Sequence, residues 1–376
     1  MIYDLAILGA GAAGLFLAAN IRKKAILIDH NQQIGRKILI SGGGKANIGN
    51  LRFDVDRFYS RDPAFVKHVI DRFDNKSVLY WLKKEGCKGF LQKEEKLFCP
   101  RSAKELINIF QRRLHCEVML GARIDRVEPG FTIYTSKGTI KAKKVVVATG
   151  GLSYKRIGAT GIGYEIAKSF GHEVSRLDPA LVGFTVQKEQ FWFKELSGIS
   201  FKVRVKVGEK SFHDDILFAH RGISGPAILN ASLYWQRGKV EIAFLKKNIK
   251  YYLKNKNKVI SSQLPLPKRF TKRFLQELGI EDRPIKKLSS EEVRKLAVFN
   301  NYIFAPAGTF GFERAEVTRG GVLLDDIDPD TMESRKYPGL YFIGEVLDVA
   351  GELGGYNFQW AFSSAWVAKE AIDGLS

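Results

Sequence analysis

Residues 3–29 read YDLAILGAGAAGLFLAANIRKKAILID. Tyr3–Leu8 is a short apolar run closing on glycine, the pattern of a buried parallel strand. Ala12–Ile21 has helical spacing, and Ala25–Asp29 is a second apolar strand ended by an acid. Gly9, Gly11 and Gly14 stand between the first strand and the helix in a G-x-G-x-x-G register, and Asp29 lies twenty residues beyond Gly9. A lone G-x-G-x-x-G decides little. Strand, glycines, helix, strand and acid in this order make the complete dinucleotide-binding βαβ unit. Gly9 permits the tight turn, Gly11 lets backbone approach a pyrophosphate, and Gly14 lets the helix pack close to the strand. The helix start offers free N–H groups and a positive dipole end to phosphates. Asp29 is placed to accept hydrogen bonds from ribose hydroxyls, and Ala13 and His30 belong to the same expected site.

Beyond Asp29 the chain departs from the quick βαβ continuation of a plain dehydrogenase. Gly35-Arg36-Lys37 leads into Ser41-Gly42-Gly43-Gly44 and on to Asn47. Glycine inside a helix costs about 1 kcal/mol relative to alanine, so this run suits backbone laid against a flat ligand or further phosphates. Residues 51–120 read as mixed helix with one short hairpin. Val145–Thr149 is another buried strand, followed by Gly150 and Gly151. Gly158–Ala167 is a glycine turn entering a helix, but no strand directly precedes it, so a separate nicotinamide domain is not expected. Leu340–Ile343 is an apolar strand closing on Gly344 and Glu345. Gly351–Asn357 then opens a final helix, expected to be amphipathic and to run through Ile372.

The middle has a different grammar. Phe201–Val207 alternates strictly, with Lys202, Arg204 and Lys206 on one face, as in an antiparallel strand. Lys246–Lys258 holds six lysines and no acid, Lys246, Lys247 and Lys250 among them. Pro265 and Pro267 precede helical stretches near Thr271–Leu278 and Ser289–Asn301, the latter opened by a Ser289/Glu292 capping box. The expected class is therefore α/β. Residues 1–186 and 312–376 would form a split Rossmann-like dinucleotide-binding domain. Residues 187–311 would be an inserted basic unit, β-rich over about 187–245 and helical over about 246–311.

Charge is uneven. The 376 residues carry 60 Lys+Arg against 40 Asp+Glu, a net +20. The insert holds 24 basic and 11 acidic residues, so +13 of that surplus sits in a third of the chain. Such a surplus attracts polyanions and speeds encounter with them. The length suits two or three domains, and the 27% charged and 45% hydrophobic fractions exclude wholesale disorder. Cys87, Cys99 and Cys116 are too few and too irregular for a disulfide framework, which points to a reducing, cytoplasmic setting. Neither the cysteines nor the histidines show zinc-ligand spacing, so no metal site is expected. No apolar run approaches the roughly 18 residues of a membrane span.

These motifs together resemble the BaiN/RdsA-type (YhiN-like) FAD-dependent oxidoreductases over essentially the whole chain. The resemblance rests on GAGAAG at 9–14, GRKILISGGG at 35–44, ATGGLSY at 148–154 and TGIGYEIAKSFGH at 160–172. It continues with FAHRGISGPAIL at 218–229, AEVTRGGV at 315–322, MES at 332–334 and GLYFIGEVLDVAGELGGYNFQWAFSS at 339–364. It implies a glutathione-reductase-like FAD domain interrupted by a β-barrel-like and helical insert. It also implies non-covalent FAD held by Gly9, Gly11, Gly14, Asp29, Arg36, Lys37, Ser41, Gly42, Gly43, Gly44 and Asn47. The Ile124 backbone would lie near the adenine, with Thr149, Gly150 and Gly344 lining the site. Glu345 would reach ribityl hydroxyls, and Gly355, Tyr356 and Asn357, at the start of the last helix, would face the flavin N1–C2=O edge.

One departure stands out: the family loop usually continues G-R-C-N, whereas here Lys45-Ala46-Asn47 follow Gly44. A cysteine proton donor at that place is absent. The resemblance leaves three function classes open. The first reduces a uracil base in large-subunit ribosomal RNA to dihydrouridine, with the basic insert gripping RNA. The second is a small-molecule flavin oxidoreductase acting by ring C=C reduction or amine oxidation. The third is a non-catalytic FAD protein attached to ribosomal particles. For the first, an acid must protonate uracil C5, and the candidates are Tyr356, Lys45 and His220. NAD(P)H, as a transient reductant, would have to visit the substrate face.

Overall fold

The computed structural model describes residues 2–87 and 89–374. The chain divides into two compact units, residues 1–179 with 316–376, and residues 180–315.

In the first unit the opening motif folds as β1 (Ile2–Leu8), α1 (Ala12–Ala18) and β2 (Ala25–Ile28). Strand β1 pairs in parallel with β2 on one side and with Gly138–Val147 on the other. The parallel sheet extends to Glu117–Met119 beyond β2 and to Leu340–Phe342 beyond Gly138–Val147. The central strands are covered on both faces and need no polar alternation: all four residues of β2 are buried, as are Val145–Val147. The first half of Gly138–Val147 also closes an antiparallel meander with Thr132–Thr135 and Ile124–Glu128.

Helix α1 packs closely against the end of β1. A Cβ on Gly14 would lie 1.9 Å from the carbonyl oxygen of Gly9. Above it, Phe16 is fully buried and stacks on Phe362 at 4.7 Å between ring centroids, with Trp81 at 4.8 Å. Phe362 belongs to the C-terminal helix, Tyr356–Asp373. That helix is not amphipathic as its sequence suggests, because twelve of its eighteen residues are buried. Its buried polar groups are satisfied instead: Gln359 Nε2 and Ser363 Oγ both donate to the Phe73 carbonyl, at 2.8 and 2.7 Å. The helix Arg36–Gly44 is interrupted, since Ser41 is extended and Gly42 and Gly43 are left-handed. The small residues end the helix and lay down a loop.

The second unit is an antiparallel seven-stranded sheet. Its order is Tyr302–Phe304, Val240–Ala243, Ser200–Val207, Lys210–Ala219, Gly222–Ser224, Phe184–Thr185 and Gly308–Thr309. The two edge strands are neighbours in sequence, joined only by residues 305–307. That link reaches no further than about 14 Å, so the sheet must roll until its edges approach. The unit thus begins before residue 187, because Phe184–Thr185 is a sheet strand. Its chain after residue 246 is not helical throughout, since Tyr302–Phe304 and Gly308–Thr309 rejoin the sheet. The helix Lys268–Glu277 packs Phe270 and Phe274 into an aromatic core with Trp192, Phe244 and Phe299. Ser289 and Glu292 form the reciprocal capping box on Ser290–Lys295.

The Gly14 contact yields a first test. Gly14→Val should lower the free energy of unfolding by about 3 kcal/mol or prevent folding, because the clash is with backbone that cannot move aside. Urea unfolding followed by circular dichroism reads it, and a midpoint equal to wild type would mean that α1 does not sit this close to β1.

Candidate functional site

Asp29 ends β2 with its carboxylate turned onto the glycine turn. One oxygen accepts from the Ala10 N–H at 2.7 Å and the other from the Asn31 N–H at 2.8 Å. Its first task is therefore to hold the turn. A carboxylate has about four acceptor sites, so capacity for ribose hydroxyls remains. Beside it, His30 Nδ1 is 3.6 Å from Asp29 while His30 Nε2 is buried with no hydrogen-bond partner. Arg36 reaches Asn31 Oδ1 at 2.9 Å, bringing its guanidinium to the same corner.

Across the sheet, Ala148 N donates to Leu8 O, so Thr149 and Gly150 leave their strand next to the glycine turn. Thr149 Oγ1 is a second buried polar atom with no partner. Gly11, Gly43 and Gly150 each face open space, with nothing within 4 Å of an added Cβ. Gly344 is pinned from both sides. Its N–H donates to Ser364 Oγ at 3.0 Å and its carbonyl accepts from Trp360 Nε1 at 3.0 Å. A Cβ on it would lie 2.8 Å from the Ala13 Cβ.

The second glycine loop and the C-terminal helix meet. A Cβ on Gly355 would lie 2.5 Å from the Gly49 nitrogen, and one on Gly354 would lie 2.9 Å from the Asn50 amide. Ser41 Oγ donates to Ile38 O at 2.7 Å, closing the helix before the glycines. Asn47, with its amide oriented to satisfy its neighbours, donates to the carbonyls of Leu97 and Gly49. Ile124 is buried in the meander strand that pairs with Thr135.

Other expected ligands are already engaged by the protein. Glu345 accepts from Lys37 Nζ at 2.6 Å and from the Thr318 N–H at 2.9 Å, one bond on each oxygen, so that like Asp29 it keeps acceptor capacity for a hydroxyl. Lys37 is correspondingly occupied by that ion pair. Asn357 clamps backbone, its amide bridging the N–H and C=O of Gly351 at 2.8 Å each. Tyr356 is fully buried against Phe53 and Phe58, and its hydroxyl meets the Asp54 N–H and the Arg52 carbonyl. Burial pushes its pKa up. It packs the 52–58 segment and offers no open acid. His220 is exposed in the turn between Lys210–Ala219 and Gly222–Ser224 of the second unit. Lys45, half-buried at the end of the glycine loop, remains an available donor.

The sequence reading passed over Glu316, whose carboxyl is pushed up by burial against the opposing pull of Lys37 and Lys96. Its only sequence signal is an acid inside the AEVTRGG motif.

On the second unit, Lys202, Arg204 and Lys206 are exposed while Val203, Val205 and Val207 are buried. The register, however, sets Asp215 opposite Lys202 and Glu241 opposite Lys206, so acids interleave with this face. The lysine segment is more uniform. Lys246, Lys247 and Lys250 are exposed, and Lys247 and Lys254 lie 3.9 and 4.5 Å from the ring of Tyr251, itself 48% exposed. An aromatic among cations is what single-stranded nucleic acid binds, by stacking and charge. Among the described residues, no helix is long and apolar enough to cross a membrane.

Parallel sheet, glycine turn, closing acid, second glycine loop and meander together define an FAD-binding Rossmann protein of the α/β class. The orphaned His30 and Thr149 atoms and the bare faces of Gly11, Gly43 and Gly150 fit such a cofactor. The chain belongs to the family described as HI0933-like protein Rossmann domain, matched over residues 3–371. An Escherichia coli protein named ribosomal RNA dihydrouridine synthase is 38% identical over 98% of both chains. A Clostridium scindens 3-dehydro-bile acid delta(4,6)-reductase is 28% identical, also over 98% of both. In fold, an E. coli quinol fumarate reductase superposes with a TM-score of 0.51 at 15% identity, covering 100% of this chain and 70% of that one.

Gly11 separates cofactor binding from folding. Its φ of −84° suits any residue and its Cβ position is open. Gly11→Val should keep the stability of the apoprotein within about 0.5 kcal/mol yet lose FAD on gel filtration. Wild-type FAD occupancy in this variant would place the cofactor elsewhere.

Proposed function

We propose that this protein reduces a uridine of ribosomal RNA to dihydrouridine, with non-covalent FAD as its cofactor. The full-length likeness to a ribosomal RNA dihydrouridine synthase carries this reading. Bound FAD supplies the hydride chemistry, and everything else falls to the chain. The start of α1 and the Gly9–Gly14 backbone receive the pyrophosphate, with Asp29 and His30 toward the adenosine half and the Ile124 backbone near the adenine. The Ser41–Gly44 loop, Thr149 and Gly150 line the remainder, and Arg36 adds positive charge. The N-terminus of the C-terminal helix, at Gly355–Asn357, would offer the positive end of its dipole to negative charge on the cofactor. Glu345 holds Lys37 and the Thr318 backbone in place.

The uracil must leave its stack before its ring can be reached. Lys45 gives the proton to C5, and Glu316 is the second group able to do so, because burial favours its protonated form. The exposed lysines around Tyr251 grip the RNA backbone, with Lys202, Arg204 and Lys206 as a weaker, acid-interleaved contact. NAD(P)H serves as the reductant, and the work is done in the cytoplasm. The bile-acid relative favours a second reading, small-molecule ring reduction.

Two measurements decide between them. Ribosomal RNA from cells lacking this protein should lose a dihydrouridine that wild type restores and Gly11→Val does not. An unchanged map ends the RNA reading. In vitro, log K for RNA against log salt should flatten by about 2 in the triple variant Lys247→Gln, Lys250→Gln and Lys254→Gln, from about 0.7 per single-strand phosphate contact. The corresponding variant at Lys202, Arg204 and Lys206 should flatten it less. Equal slopes in all three proteins, with turnover indifferent to salt, would select the small-molecule reading.

A further inference from the structure

Three short elements of the first unit bring together groups that no spacing in the sequence links. Cys87 follows the helix Asn75–Lys84, with its N–H on the Leu82 carbonyl at 2.9 Å. Cys99 follows the strand Lys96–Phe98, and Glu105 sits in the first turn of the helix Lys104–Arg113. One ligand atom from each lies within 4.8 Å of the others. We propose that Cys87, Cys99 and Glu105 form a binding site for a thiophilic divalent cation, with zinc as its occupant.

The first argument is charge. Glu105 Oε2 is buried with no hydrogen-bond partner among the described residues, and Arg101, 91% exposed, lies 3.5 Å from the other oxygen. A buried carboxylate oxygen left unpaired beside two thiols is a group of the kind that folded proteins avoid. A divalent ion bound there would compensate the carboxylate and take the two sulfurs as thiolates.

The second argument is ligand chemistry and geometry. Two sulfurs and one carboxylate suit zinc and exclude magnesium or calcium, which take oxygen ligands. With Zn–S near 2.3 Å, tetrahedral sulfurs sit roughly 3.8 Å apart, inside the 4.8 Å within which the three ligand atoms lie. Cys87 and Cys99 are 3% and 0% exposed, whereas the Glu105 side chain is 26% exposed. The ion would enter from the Glu105 side and keep a water as its fourth ligand.

The site is structural in purpose. The Cys99 N–H donates to the carbonyls of Lys45 and Ala46 at 3.0 and 3.3 Å, and the Ala103 N–H to that of Gly44 at 2.8 Å. An ion there fastens two helices to the end of the glycine loop. The proposal does not depend on the substrate.

The experiment is equilibrium dialysis of reduced, FAD-loaded protein against zinc chloride, followed by elemental analysis. Wild type should hold equimolar zinc beyond that held by Cys87→Ser/Cys99→Ser, release close to two protons per zinc, and melt at higher temperature with zinc than without. Glu105→Gln keeps both thiols and the local volume, and should weaken zinc at least tenfold while its flavin spectrum shows an intact fold. Equal zinc in wild type and the double serine variant would overturn the proposal. So would unchanged affinity in Glu105→Gln, or recovery of Cys87 and Cys99 as a disulfide with no zinc uptake by the reduced protein.

Discussion

The contact between Gly14 and the Gly9 carbonyl sets the geometry of the first unit. With no side chain at Gly14, α1 lies against the end of β1, and its first N–H groups open toward the Gly11 face. Asp29 locks that arrangement from β2, accepting the Ala10 and Asn31 N–H groups. Hydrogen bonds to a charged acceptor contribute about 1.5–3 kcal/mol each, enough to make the turn a fixed frame. Because α1 sits so close, Phe16 reaches Phe362, and the C-terminal helix is drawn into the core instead of lying on its surface.

That burial explains how residues far apart in sequence come to share a site. The buried helix holds Gly344 through Ser364 and Trp360, and its first turn rests on Gly49 through Gly355. The glycine loop, the strand end at Gly344 and the start of the last helix are thus coupled through one set of packed aromatics. Gly344 is positioned by hydrogen bonds to its backbone and Gly355 by close backbone packing, and both tolerate little movement.

The two units use charge differently. In the first, cations beside the site are paired, Lys37 with Glu345 at 2.6 Å and Arg319 with Asp178 at 3.0 Å. In the second, the lysine segment surrounds an exposed tyrosine, while the alternating strand faces acids across its register. Net charge alone does not distinguish these surfaces. Pairing does.

Local sequence determined the βαβ unit, the break at Ser41–Gly44, the alternation of 201–207 and the Ser289/Glu292 cap. Each depends on interactions within a few residues or on a period of 2 or 3.6. The largely buried character of the last helix was not legible, because Gln359, Ser363 and Ser364 look solvent-facing until the carbonyl of Phe73 and the N–H of Gly344 are brought to them. Glu345 and Asn357 read as ligand-facing from their motifs, yet Thr318, Lys37 and Gly351 claim them across the fold. Cys87, Cys99 and Glu105 carry no motif at all. Only tertiary structure decided these, because a side chain's partner is set by which distant backbone the packed core places within about 3 Å of it.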